Sequence, residues 1–525
     1  MPHFQSIATA VLLGCLPLAA GTQTVVPRED PDVTLHNPDM GWVMYENYPL
    51  DPRPNGSSSM LTLPNENFQG CDHVAVMFAW SDVETAEGRY DWSRVDTAWD
   101  YWLQRGKSLH LRMSTEPLFG WSRLQPAGGL GIPDWLLARI PDKQKNLRTD
   151  NEGKSGWHVD ARNPLYQDRL RIFLKATQAH LSGKRRPALI DLRGFGRWGE
   201  WHSGFPYASQ EDKREALKAV LAIWSEAFPG QMLALSYSYD PDGPPELHAG
   251  STRELDPACT RNFADYLRFS AFDVALEKTN ITLRRDGAGG AVSSNQRKLC
   301  EYAYHDLRRA PQMSEFVGGY AQTRPGGTVH LQWSIDDALS LHPNYVNLLG
   351  YGARDGLNFM LERPDLVIHG LHGMGYRLVP LQAILPETIQ PGEKFVLHMQ
   401  WSNRAAGRAL RDYALKVRLA TDKGRQVAAE VDAGVLPTSQ WLQGDKHSTR
   451  TEVIFPKIDG SGQATLQISL NDPASGRVIS LPLSARGSDG FYTLGVVTLG
   501  PATNASGSAY QIQSPIRPQL KIPLP

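Results

Sequence analysis

A chain of 525 residues is too long for one ordinary core and implies two or three domains, or one large barrel with an appendage. Hydrophobic residues make up 41% and charged residues 21%, the balance of a soluble globular protein. Lys plus Arg number 54 against 55 for Asp plus Glu, and a net charge of -1 excludes the basic footprint of a nucleic-acid or anionic-membrane binder.

The first residues read as an export signal over residues 1–21: an apolar run from Ile7 to Leu13 is followed by small residues ending at Gly21. The run is too short to span a membrane, so no membrane insertion is expected. Leu12 to Cys15 also approximates a lipoprotein cleavage site, which would anchor the chain at Cys15. With the signal removed, Cys71, Cys259 and Cys300 remain, and Cys259 with Cys300 is the expected disulfide in an oxidising compartment. No Cys/His spacing of the zinc type occurs, and neither a metal nor a cofactor is expected. Three glycosylation acceptor triplets begin at Asn55, Asn280 and Asn504.

Short β-type runs alternate with amphipathic helical stretches from about residue 35 to 375, the pattern of a parallel α/β architecture. His73 to Trp80 reads as a buried strand, and the stretch from Trp92 to Gly106 follows as a helix with Val95, Trp99 and Trp102 on one face. Ser108 to Met113 is the next strand. Ala188 to Phe195 is another, then a helix from Ser209 to Phe228, then a strand from Met232 to Ser238. Without a dinucleotide fingerprint, repeated strand–helix units favour a closed (β/α)8 barrel over a doubly wound sheet. After Gly375 the composition shifts to β-type runs separated by Pro391-Gly392, Asp459-Gly460 and Asp489-Gly490. That predicts an antiparallel β-sandwich over 378–525.

The segment from Leu189 to His202 is the most informative. An apolar run ends in Gly194, Gly196 and Gly199, with Trp198, Trp201 and one carboxylate, Glu200. This is how a barrel strand delivers a catalytic acid into a sugar-binding cleft, with indole faces available to stack on a sugar ring.

The stretch from Phe78 to Asp96 carries Trp80, Glu84, Gly88, Tyr90, Trp92 and Asp96 in the spacing W-x3-E-x3-G-x-Y-x-W-x3-D. It resembles the second-strand signature of the clan A glycoside hydrolases, especially their beta-galactosidase-like barrels. The block around Glu200 and the stretch from Gly375 to Val379 also resemble secreted barrel proteins with a C-terminal sandwich. The resemblance implies a retaining hydrolase with an acid/base glutamate after the fourth strand and a nucleophile glutamate at the end of the seventh. Glu200 matches the first position. Clan A usually has Asn just before that acid, and here Gly199 stands there, so His202 or Arg197 would have to contact the sugar 2-hydroxyl. Pro311 to Tyr320 resembles the seventh-strand pattern P-x3-E-F-x-G and nominates Glu315. If the strand instead runs from Phe316 to Tyr320, Glu315 falls at the wrong end and Glu116, after strand three, becomes the partner.

Lower-ranked substrate contacts are Arg112, ending a strand, and the stacking candidates Trp80, Trp198, Trp201 and Trp333, each of which equally suits a core or an ion pair. The stretch from His330 to Asp336 alternates polar and apolar residues and is expected to line the cleft. The expected function is a secreted glycosidase acting on an oligo- or polysaccharide. A catalytically silent carbohydrate-binding barrel and a lyase or transglycosylase are the alternatives.

Overall fold

A computed structural model of the protein describes residues 21–46, 70–116, 131–149, 155–201, 204–236, 271–289, 294–309, 311–323, 327–349, 353–421, 426–458, 461–484 and 486–500. Cys15, Cys259 and His202 lie outside the described residues, as does the segment 1–20. Cys300 is buried at the end of a helix, and its expected pairing with Cys259 therefore falls outside the description.

Eight parallel strands close into a barrel in chain order: Gly41–Glu46, His73–Ala79, Ser108–Ser114, Leu189–Arg193, Leu233–Ser236, Ile281–Ala288, Gln312–Phe316 and Pro343–Asn347. The eighth pairs back onto the first through Tyr345 and Gly41, which leaves no open edge. Alternation decides what each strand offers. In the fourth strand Ile190 and Leu192 pack outward under the helices, while Leu189 points into the barrel, which puts Asp191 and Arg193 inside with it. By the same rule Tyr45, Arg112, Arg284, Asp286 and Glu315 all face inward.

The outer ring includes helices Ser93–Gln104, Pro164–His180, Gln210–Ala227, Gly327–Leu339 and Pro364–Gly373. Helix Pro164–His180 starts where proline occupies its first turn and the Asn163 side chain accepts from the Tyr166 amide at 3.0 Å. No helix among the described residues is long and apolar enough to cross a membrane.

The C-terminal part is a sandwich of two sheets. One contains strands Leu378–Pro386, Lys394–Asn403 and Lys446–Ile454, and the other is built on Tyr413–Thr421, Gln426–Leu436, Gly462–Asn471 and Tyr492–Leu499. A division at residue 378 misses one strand. Thr22–Val25 pairs antiparallel with Leu378–Pro386, so residues 22–25 belong to the sandwich although they precede the barrel strands. Nothing local marks this, because an isolated four-residue strand acquires its partner only from the far end of the chain.

The sandwich docks at the amino ends of the barrel strands. Asn344, at the start of the eighth strand, donates to the carbonyls of Asp39 at 2.9 Å and Arg408 at 2.8 Å. A Cβ on Gly407 would lie 2.6 Å from Asn344 Oδ1, so the loop needs glycine to come this close. The carboxyl ends of the strands are at the opposite face.

Candidate active site

Three acids converge at the carboxyl face of the barrel. Glu200 follows the fourth strand, Asp286 lies in the sixth and Glu315 in the seventh, and each offers a carboxylate oxygen within 4.8 Å of the others. The strand Gln312–Phe316 ends just after Glu315, which places this residue at the carboxyl end.

Glu315 is the most heavily bonded of the three. Tyr45 Oη donates to its Oε2 at 2.6 Å, Arg112 reaches Oε2 at 2.5 Å and Oε1 at 3.2 Å, and Arg193 reaches Oε2 at 3.3 Å. Arg284 donates to the same carboxylate. Arg112 also pairs with Asp191 at 2.9 Å and lies over the Tyr45 ring at 4.2 Å, so its guanidinium is clamped on two sides. Burial pushes the Asp191 carboxyl up from its usual range, opposed by Arg284 and Arg112.

Glu200 is more open, with 16% of its side chain exposed against 6% for Glu315. Arg193 donates to its Oε1 at 2.9 Å. Asp286 accepts from Ser236 Oγ at 2.8 Å and pairs with Arg284. Burial raises the Asp286 carboxyl; Arg284 opposes the rise and the negative charge of Glu200 adds to it. The three carboxylates could gather a cation, but arginine donors already occupy all of them, a setting that repels a metal ion.

The loop carrying Glu200 is wound through left-handed backbone. Gly196, Trp198, Gly199 and Trp201 have φ of 74°, 55°, 69° and 65°. Arg193 Nη1 also donates to the Trp198 carbonyl at 2.9 Å, tying the turn to the strand that precedes it. Gly199 cannot readily carry a side chain, because a Cβ there would lie 2.6 Å from the Arg193 carbonyl oxygen.

Several residues named from sequence are placed elsewhere. Trp80 is fully buried, stacked on Phe173 at 5.1 Å, and donates its indole N–H to Glu84 at 2.6 Å, so neither face is open to a sugar. Trp201 is also fully buried, against Phe195, with its N–H on the Leu192 carbonyl at 2.8 Å. Trp333 lies on the exterior helix Gly327–Leu339 and is 48% exposed, away from the cleft. The apparent alternation from His330 to Asp336 is a helical face, since Leu331, Ser334, Ile335 and Ala338 are the buried positions. Glu116 does not join the three acids; it pairs with His158 at 2.9 Å, and burial raises it well above the carboxylate range. Trp198 is half-buried beside Glu200, and the Arg197 side chain lies outside the described residues.

Arg112 is where the sequence suggested, but it holds carboxylates. Tyr45, Asp191, Arg193, Arg284 and Asp286 were missed. Their signal was a charged or polar residue at every second position of a strand, as in Leu189–Arg193 and Ile281–Ala288.

The second-strand motif has a structural role. Glu84 is fully buried and accepts from the Trp80 indole, from the Gly88 amide at 2.8 Å and from Arg169 at 3.1 Å. Trp92 stacks on His180 at 4.4 Å, and Asp96 accepts from the same His180 at 2.7 Å. The motif therefore bolts the loop after strand two to the helix Pro164–His180.

No family model and no curated protein matches this chain. Among solved structures it is similar to endo-glycoceramidase II from Rhodococcus sp., at 12% identity and a TM-score of 0.38, covering 81% of this chain and 100% of that one. It is also similar to a xylanase from Thermotoga maritima, at 9% identity and a TM-score of 0.35 over 59% and 82% of the two chains. An endoglucanase from Pseudomonas stutzeri aligns at 11% identity and a TM-score of 0.35 over 66% and 97%.

Proposed function

We propose that the protein is a glycoside hydrolase that cleaves O-glycosidic bonds with retention, Glu315 acting as nucleophile and Glu200 as acid/base. The observation that carries this is the approach of the Glu200 and Glu315 carboxylate oxygens to within 4.8 Å at the carboxyl face of a closed barrel. Retaining pairs stand about 5–5.5 Å apart, whereas inverting pairs need about 6.5–9.5 Å to admit a water.

The two environments suit different tasks. A nucleophile must be ionised and aimed, and three arginines with Tyr45 favour the charged form of Glu315 and fix its orientation. An acid/base must hold and release a proton from the open side. Glu200 is the more exposed carboxyl, and it faces Asp286, whose own carboxyl is raised by burial, with the charge of Glu200 adding to the rise. In the first step Glu315 attacks the anomeric carbon while the proton passes to the leaving oxygen. In the second, the deprotonated Glu200 removes a proton from water as it displaces Glu315.

We also read residues 1–21 as an export signal. Cleavage at Gly21 would leave the sandwich strand Thr22–Val25 intact, and mass spectrometry of the mature amino terminus tests it.

The test of activity is a panel of aryl glycosides and polysaccharides, with NMR of the first-formed anomer. Retention is expected, with activity lost in Glu315→Gln and in Glu200→Gln. A wild-type chain that binds sugars and hydrolyses none would make it a binding barrel, the reading favoured by the arginine already capping Glu200. Unsaturated products would make it a lyase.

A further inference from the structure

We propose that Glu301, His305 and His342 form a binding site for one divalent transition-metal ion of the zinc type, at the junction of the barrel and the sandwich. The three residues each offer a ligand atom within 4.8 Å of the others. His342 directly precedes the eighth strand, so this site is at the amino end of the barrel, opposite the three acids. Glu301 ends the helix Ser294–Glu301, and His305 follows on the π-helical turn Tyr302–Asp306, a helix form concentrated at functional positions.

The setting of the His342 ring is the first argument. His342 Nδ1 lies 3.0 Å from the Ala406 carbonyl oxygen, which anchors one side of the ring to the sandwich loop. Nε2, on the other side, is thereby aimed at both oxygens of Glu301, each at 3.3 Å. A ligand histidine whose other nitrogen donates to a backbone carbonyl is the usual second-layer arrangement around zinc.

Distance is the second argument. The pairs His36–Asp72, His158–Glu116, His180–Asp96 and His369–Asp336 close to 2.8, 2.9, 2.7 and 2.6 Å, ordinary hydrogen-bond lengths. At the proposed site the separations are 3.2 Å for His305–Glu301 and 3.3 Å for His342–Glu301. Zinc–nitrogen and zinc–oxygen bonds of about 2.0–2.1 Å in a tetrahedron give ligand-to-ligand edges of about 3.3 Å.

Preorganisation is the third. His342 has φ of 57°, an uncommon conformation, and its ring lies flat on Tyr304 at 3.9 Å and 4°. Tyr304 Oη in turn donates to the Gly407 carbonyl at 3.0 Å, so the sandwich loop holds both the ligand ring and the ring beneath it. His305 is 48% exposed, which leaves an open side where water completes the coordination. The bound ion would link the barrel to the loop Ala405–Arg408 without touching the catalytic face.

The experiment uses the full mature chain stripped with chelator and titrated with Co2+, followed by visible absorption, then with Zn2+ in competition. One equivalent of Co2+ with the intense bands of four-coordinate cobalt is expected, displaced by Zn2+, together with a rise in melting temperature of about 3 °C or more at saturation. His305→Ala and Glu301→Gln, both at exposed positions, should each weaken binding at least about tenfold with an unchanged circular dichroism spectrum. Absence of cobalt bands and of any zinc-dependent shift in melting would overturn the proposal, and so would binding that survives both substitutions.

Discussion

Arg193 donates through one guanidinium nitrogen to Glu200 at 2.9 Å and through the other to Glu315 at 3.3 Å, so a single side chain spans the two carboxylates. It belongs to the fourth strand, seven residues before Glu200. Its third contact, to the Trp198 carbonyl, makes it the anchor of the loop as well.

Arg193→Met should therefore lower kcat by about a hundredfold or more, as expected when a charged donor is withdrawn from a preorganised site. Loss of the cation makes both glutamates easier to protonate. Both limbs of the pH–rate profile should move to higher pH, with Glu200 moving further because Arg112 and Arg284 still hold Glu315. Steady-state kinetics from pH 4 to 9 measure this, and an unshifted profile would show that Arg193 acts on the fold alone.

Gly199→Asn introduces the residue that the sequence resemblance would lead one to expect there, yet it should damage the protein. The new Cβ would meet the Arg193 carbonyl oxygen at 2.6 Å, at a φ of 69°. A loss of about 1–3 kcal/mol in urea unfolding is expected, with reduced activity.

Trp80→Phe separates a core role from sugar stacking. The indole fills the space beside Phe173 and donates to Glu84, so its replacement should cost about 1–3 kcal/mol by leaving a buried carboxylate oxygen without that donor. KM on any hydrolysed substrate should stay within about twofold, because no indole face reaches the cleft. Glu84→Ala should cost about 3 kcal/mol or more, since it also leaves Arg169 and the Gly88 amide without this partner.

Two buried histidines plug the amino end of the barrel, His73 and His110, with ring centres 5.2 Å apart. Burial pushes His73 down to about 4 and His110 well below the usual imidazole range. A depressed histidine is neutral when folded and takes up a proton on unfolding near its ordinary value of about 6.5. Their contribution is complete above that pH and is lost as the pH falls towards 4, by about 3 kcal/mol for His73. Melting temperature should fall steeply from pH 7 to 4.5, and His73→Gln should flatten the slope.

Much of this protein is legible in local pattern. The strand–helix alternation to residue 375, the turn signals beyond it, and Glu200 between glycines and tryptophans all arise from periods of 2 and 3.6 and from backbone freedom at glycine, which neighbours in the chain encode. The strand Ser108–Ser114 ends one residue beyond its expected Met113, and the Glu315 strand has the boundary that a carboxyl-end acid requires.

Partnership was decided only by the tertiary structure. Arg112 meets Asp191 across 79 positions, Arg193 meets Glu315 across 122, and Arg112 meets Glu315 across 203. No periodicity encodes such pairs, because barrel closure and strand register determine which inward side chains share a level. The same closure buried Trp80 and Trp201, turned Trp333 outward, added Asp286 to the two glutamates, and carried Thr22–Val25 to the sheet beside Leu378–Pro386.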